Sequence, residues 1–506
     1  MNEVISKAEH DAALAEKQGQ INALRHELNQ LKRLIFSAKS ERFVPTTPAE
    51  QMALWGKEPP VDVAPPEVVT EDIRYTRRRP TKPHPGRGAL PAHLPVEEEV
   101  LEPLEDTEGL VQIGEEVTDT LDYRPGRLLI RRRRRPKYAR PVPPPTTEDD
   151  DGTSDGATEV LIAPLPPRPI ERGIPEAGLL AELLIAKFVD HLPFYRQAQR
   201  FARDFDWSVR KSTLNDWFIA TCTLLEPLYQ ALLRQVIDTD YLQVDESTIR
   251  VLDQDKKSGT HLGYHWVYRN PVSGLVLFDY RKGRGAHGVM ERLADFTGYL
   301  QTDGYKAYQT YLRKHPGVRG VSCLAHIRRK FTEARDHHRE LAESVLQQLQ
   351  QLYAVEAHCK KRQRSVAERL ALRRRVSLPI YERLLEQVRH EQANNLSKGA
   401  IGKALHYAKN ELPKLAACFD DGRIELDNNL IENSIRPLAL GRKNYLFAGS
   451  HAGARRAAML YSFLGSCRHL GVNPRVWLVD VLQRLPSQSM QRLDELLPYK
   501  WVPAAD

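Results

Sequence analysis

The run YLQVDESTIRVL (241–252), with GYHWVYRN (263–270) and GLVLFDY (274–280) behind it, decides the fold. All three stretches are rich in β-branched and aromatic residues, and Pro271 with Gly274 marks a turn between the last two. That composition and spacing predict three consecutive strands. GVMERLADF (288–296) reads as a short helix, GYLQTDGY (298–305) as a fourth strand ending in Asp303, and GVSCL (320–324) as a fifth.

The resulting order, β-β-β-α-β-α-β, is that of an RNase H-like α/β domain, with its first part at 239–332. Upstream, residues 173–238 carry a helical period through GLLAELLIAKFVDHL, FYRQAQRFARDF and KSTLNDWFIATCTLLEPLYQALLRQVI. Asp206-Trp207-Ser208 interrupts the period, and Ser212 or Thr213 is the expected cap of the last helix. This suits a helix-turn-helix and an ordinary helical hairpin equally. Downstream, 333–420 is a charged helical insertion with one internal proline, Pro379. Helical patterning resumes from Asn433 to Leu485 in the C-terminal part of the catalytic domain (421–506), with Gly441, Gly449 and Gly453 expected in a loop.

The outer segments have different chemistry. A chain of 506 residues is too long for one core, because single cores stop growing near roughly 250–300 residues. In 1–43, Ile21, Leu28 and Ile35 repeat every seven residues, Leu24 and Leu31 fall three further on, and Leu14 extends the first row back. This a/d seam predicts a heptad helix that joins copies of the chain through residues 14–35, or packs on its own protein. Proline and charge mark 44–90 as a linker. Alternating TDTLDY and GRLLI place a small β module at 91–143, and a second linker covers 144–172. The five cysteines are scattered, which argues against a disulfide framework. The N-terminus has no signal-peptide pattern and no apolar run is long enough to span a bilayer, so the cytoplasm, in association with the nucleoid, is the expected location.

Three acidic positions carry the chemistry. Asp245 is read as ending the strand Leu-Gln-Val-Asp, and Asp303 as ending Leu-Gln-Thr-Asp. Carboxylates at neighbouring strand ends repel each other, and a divalent cation relieves that cost. Mg²⁺ (or Mn²⁺) prefers oxygen ligands and suits phosphoryl transfer. Glu246 competes with Asp245, but strand alternation turns it to the other face. Glu432, Asp427 and Glu425 compete for a third place. Cys323 and His326 form a Cys-x-x-His pair with no second pair near it, so zinc is not supported there; His326 is a candidate contact to a scissile phosphate.

Lys+Arg 74 against Asp+Glu 66 leaves only +8, but the cations are clustered. Arg131, Arg132, Arg133, Arg134 and Arg135 with Lys137 form one block, and no acid lies between Asp122 and Glu148. Arg328, Arg329 and Lys330 form another, and Arg436, Arg442 and Lys443 alternate with Tyr445 and Phe447 in a third. Such blocks suit a DNA backbone.

The stretch DNNLIENSIRPLALGRKNYLFAGSHAGARRAAMLYSFLGSCRHLGVNPRVWLVDVL resembles the C-terminal signature of insertion sequence 66 (IS66) family transposases. So do LQTDGYKAY, CLAHIRRKF, DHLPFYRQAQRFARD with KSTLNDW, and IGEEVTDTLDYRPGRLLIRRRRRPKYA. The resemblance implies an RNase H-like core of the DDE type whose acids fall on Asp245, Asp303 and Glu432, with the Cys-x-x-His element on Cys323 and His326. It implies binding to the element's inverted repeats as a homo-oligomer, then Mg²⁺-dependent strand cleavage and strand transfer into target DNA, with accessory proteins of the same element as further partners. The family usually carries a four-cysteine zinc module before the helical region. Here no cysteine precedes Cys222, so zinc is not supported in the β module. A non-catalytic DNA-binding derivative and a structure-specific nuclease are the alternatives; the first would not cleave, and the second would cut without joining.

Overall fold

The structure is a computed structural model that describes residues 126–134, 166–171, 173–395 and 399–503, with the backbone of 137–139 and 160–162. The heptad helix, the first linker, most of the β module, Arg135 and the side chain of Lys137 lie outside the described residues. Strands β1 (Lys137–Ala139) and β2 (Val160–Ile162) pair antiparallel. β2 falls in the stretch expected to be linker, where Val160-Leu161-Ile162 is a short apolar run among polar residues.

Helices α1 (Ala177–Phe188), α2 (Phe194–Phe205) and α3 (Lys211–Ile237) follow. α2 stops because Asp206 turns left-handed at φ 50°. α3 starts one residue before the expected cap, with Arg210 at the N-cap and no side-chain cap bond, so neither Ser212 nor Thr213 caps it. Its apolar face joins the main core through Leu214, Trp217, Leu225 and Leu228.

The sheet contains β3 (Tyr241–Leu252), β4 (Thr260–Arg269), β5 (Val276–Arg281), β6 (Gly298–Gln301) and β7 (Val318–Val321), with α4 (Ala286–Arg292) and α5 (Lys306–Lys314) as crossovers around β6. Its spatial order is β5-β4-β3-β6-β7. The first three strands run antiparallel, and β6 and β7 run parallel to β3. The mixed α/β architecture and the sequential order of elements match the expectation.

A helical block follows: α6 (Leu324–Ala334), α7 (Arg339–Lys361), α8 (Val366–Leu372), α9 (Leu378–Asn394) and α10 (Ala400–Glu411). It builds its own core around Phe331, Leu349, Leu384 and Leu405. The internal Pro379 does not break it, because a π-helical turn at Arg373–Ser377 precedes the proline and places it at the start of α9.

The chain then returns to the sheet through α11 (Asn429–Tyr445), α12 (His451–His469) and α13 (Pro474–Arg484). α12 covers edge strand β5. Ser462 and Ser466, one turn apart, accept the Phe278 and Val276 N–H groups at 2.8 and 3.0 Å. The strand's outward donors are thereby satisfied, which removes an aggregation edge. Of the three glycines expected in a loop, only Gly449 is in one. Gly441 lies inside α11, where a Cβ would stand 2.5 Å from the Tyr461 hydroxyl and 2.9 Å from the Tyr445 ring. Gly453 lies in the first turn of α12.

Candidate metal centre

The register of β3 against β6 builds the centre. Gln243 pairs with Gln301 across the parallel ladder. Asp245 and Asp303 each stand two residues further on, Asp245 still within β3 and Asp303 in the loop just after β6, so the paired glutamines bring the two acids to the same end of the ladder. Neither ends its strand as expected. β3 runs on to Leu252, because its antiparallel pairing with β4 continues past Asp245, and β6 stops at Gln301, two residues before Asp303.

The repeated Leu-Gln-x-Asp motif explains the glutamines. Both are fully buried. The Tyr241 hydroxyl and Gln243 Nε2 donate to Gln301 Oε1 at 2.6 and 3.0 Å. Gln301 Nε2 donates to the Glu425 carbonyl at 2.8 Å, and the Glu425 N–H donates to the Tyr241 hydroxyl at 3.0 Å. Asn428 adds bonds from its N–H to Cys323 Sγ and from Nδ2 to the Val244 carbonyl. Segment 425–428 is therefore tied across the strand ends, and α11 begins there with Glu432 in its first turn. Sequence reasoning missed this network; the repeated glutamine was its visible signal.

Carboxylate oxygens of Asp245, Glu246 and Asp303 lie within 4.8 Å of one another. Strand alternation does not remove Glu246 from the cluster, because its longer side chain reaches back. Its side chain is 3% exposed, accepts the Tyr308 hydroxyl at 2.6 Å and pairs with Arg284, whose guanidinium lies 3.7 Å from the Tyr305 ring centroid. Asp303 accepts the Tyr305 N–H at 2.9 Å. Gly304 holds φ +83°, and a Cβ there would approach the Glu411 carboxylate at 3.1 Å, so the tight turn after Asp303 requires glycine.

Glu432 groups with Cys323 and His326, whose ligand atoms also lie within 4.8 Å of one another. Its rivals have structural partners. Glu425 takes two bonds from Arg369, and Asp427 takes the Tyr353 hydroxyl at 2.8 Å. His326 Nδ1 is buried with no hydrogen-bond partner among the described residues.

Burial pushes the Asp245 carboxyl well above its usual range, and the charges of Glu246, Asp303 and Glu432 add to that shift. This excess negative charge in an oxygen-rich cluster fits a hard divalent cation. Because the folded value is raised, metal-free stability falls as pH rises from the ordinary carboxylate range through the raised one. Asp245→Asn is therefore expected to melt about 2–4 °C above the wild type at pH 7–8 without divalent metal, for roughly 1 kcal/mol of relieved repulsion. Mg²⁺ should stabilise the wild type more than the variant. A variant that melts lower in metal-free buffer contradicts this.

The basic residues divide. Arg131, Arg132, Arg134, Arg329, Lys330, Arg436 and Lys443 are exposed, and Arg328 is half-buried. Arg133 is bonded to Glu176 at 2.6 Å. Arg442 donates to the Thr248 carbonyl at 2.7 Å and to the Ser247 hydroxyl at 3.1 Å, so it holds α11 to β3. Among the described residues no helix is long and apolar enough to cross a membrane.

Residues 172–456 match the family described as Transposase IS66 family, residues 462–499 match the IS66 C-terminal element, and residues 23–98 match Transposase C of IS166 homeodomain. The chain belongs to the IS66 transposase family. Similar chains include uncharacterized proteins y4jD and y4qI of Sinorhizobium fredii. Each is 32% identical over 499 residues, covering 94% of this chain and 94% and 88% of their own lengths.

Proposed function

We propose that the chain is a DDE transposase with an RNase H-like catalytic domain, binding the ends of its element and catalysing strand cleavage and strand transfer. The observation that carries this reading is the gathering of the Asp245 and Asp303 carboxylates within 4.8 Å, each two residues beyond the paired Gln243 and Gln301 of parallel strands β3 and β6. The strand order β5-β4-β3-β6-β7 supports the RNase H-like assignment.

In this reading Asp245, Asp303 and Glu432 hold Mg²⁺ or Mn²⁺. The bound ions supply charge neutralisation at the phosphate and activation of the attacking hydroxyl. The protein's own contribution is positioning. The glutamine–tyrosine network fixes segment 425–428, which leads directly into the helix start that carries Glu432. Glu246, tied to Arg284 and Tyr308, holds the far side of the cluster. His326 contacts the scissile phosphate through a ring nitrogen. Arg328, Arg329, Lys330, Arg436 and Lys443 contact the flanking backbone, and Arg131–Arg135 with Lys137 grip DNA further out. Residues 14–35 join copies of the chain.

The test incubates the full chain with labelled duplexes carrying the element's ends, with target plasmid and Mg²⁺. Cleaved ends covalently joined to the target support the reading. Cleavage without joining supports a nuclease, and binding without cleavage supports a non-catalytic derivative.

A further inference from the structure

The far end of α11 forms a second site. A cavity of about 330 Å³ opens there between α1, α2, α3 and the loop joining α11 to α12. Phe194, Phe218, Tyr445 and Phe447 line it, with Lys187 and Arg456 as its cations. The Lys187 ammonium lies 4.3 Å from the Phe194 ring centroid and 5.4 Å from that of Tyr445. No carboxylate faces it among the described residues, and burial lowers its pKa to about 8. A cation held against aromatic faces without an acidic partner is left to pair with an incoming anion.

The loop is shaped for contact. Leu446 adopts φ 63°, ψ −44°, and the Phe447 N–H bonds back to the Tyr445 carbonyl at 2.7 Å. This positive-φ γ-turn is strained for a leucine, and backbone strain of this kind clusters at ligand sites. Leu446 is 66% exposed and Phe447 42% exposed, so the turn does not serve to bury them. The loop is anchored firmly: Ala448 exchanges bonds with Arg250 and Leu252 on β3 at 2.8 and 2.9 Å. Directly after it, α12 begins with Ser450 capping the Gly453 N–H. A helix start presents free N–H groups to a phosphate.

We propose that this cavity takes one nucleotide of the DNA substrate turned out of its duplex, with its base against Phe194, Phe218, Tyr445 and Phe447 and its phosphate against Lys187 and Arg456. Aromatic side chains accept any base face, and a cation fixes the backbone beside it. The position fits. Six residues of extended strand separate Asp245 from Val251, which pairs with the loop at Ala448, a path of roughly 20 Å. Thirteen helical residues separate Glu432 from Tyr445, which is also roughly 20 Å. At about 3.4 Å per nucleotide of one strand, the extruded nucleotide lies about six positions from the scissile phosphate.

The inference rests on the transposase reading, and the experiment separates the two. End duplexes carrying 5-iodouracil at successive positions are photocrosslinked to the full chain, and the attached residue is found by mass spectrometry. The expected result is one dominant position, about six nucleotides from the cleavage point, attached to Tyr445 or Phe447. Phe447→Ala, at an exposed site, and Lys187→Met should each reduce that crosslink about tenfold while crosslinks elsewhere persist. A chain that cleaves its ends but crosslinks evenly, or only outside the cavity, overturns the nucleotide site and leaves the transposase reading standing. A chain that neither binds nor cleaves its ends overturns both.

Discussion

Asp245→Asn and Asp303→Asn are each expected to slow Mg²⁺-dependent cleavage of element-end DNA by at least about 10³-fold, equivalent to about 4 kcal/mol of lost transition-state stabilisation. The substitutions are nearly isosteric. An asparagine oxygen still accepts the Glu246 N–H at position 245 and the Tyr305 N–H at position 303, so the local turns survive. DNA affinity should change less than about threefold, because phosphate contacts come from cations elsewhere. Glu432→Gln should match the two aspartates. Glu246→Gln should cost no more than about tenfold, since Glu246 is already engaged by Arg284 and Tyr308 and acts by positioning. Single-turnover cleavage with filter-binding controls reads all four. Full activity in Asp245→Asn would remove that residue from the centre, and a 10³-fold loss in Glu246→Gln would make it a ligand.

Arg373→Met is expected to be the most destabilising single change in the helical insertion, costing about 3–5 kcal/mol. Arg373 is fully buried on the π-helical turn. It donates to both Glu356 oxygens at 2.7 and 2.9 Å, and to the Cys418 and Ile424 carbonyls at 3.2 and 2.8 Å. Burial alone would raise the Glu356 carboxyl, yet Arg373 and Arg369 hold it below the usual range. Removing Arg373 leaves that carboxylate with one partner and strips two buried carbonyls. Because Ile424 leads directly into segment 425–428, end cleavage should also fall. The melting midpoint should drop by about 10 °C, and adding Glu356→Gln should recover part of the loss. A midpoint within 1 °C of wild type would show that the insertion does not depend on this pair.

Much of the architecture was legible because the period of the sequence changes sharply at Tyr241 and again after Cys323. The order of strands and helices along the chain followed from those changes; their spatial order in the sheet did not. Three things were not legible. Strand ends depend on partner length, so β3 running past Asp245 and β6 stopping before Asp303 could not be read from either segment alone. The facing of Glu246 follows from side-chain reach as well as from alternation. The places of Gly441 and Arg442 depend on contacts with Tyr461 and Thr248, which lie far away in sequence. For the third acid the residues left three candidates open and the resemblance pointed to Glu432; the structure gives Glu425 and Asp427 partners of their own and groups Glu432 with Cys323 and His326, apart from the Asp245–Glu246–Asp303 cluster.

The most direct measurement is an anomalous difference map from crystals of the chain soaked in Mn²⁺. The expected result is a peak within ligand distance of the Asp245 and Asp303 carboxylates, about 2.0–2.6 Å, that disappears in Asp303→Asn. A peak held instead by Cys323, His326 and Glu432, with none at the two aspartates, would contradict the central claim.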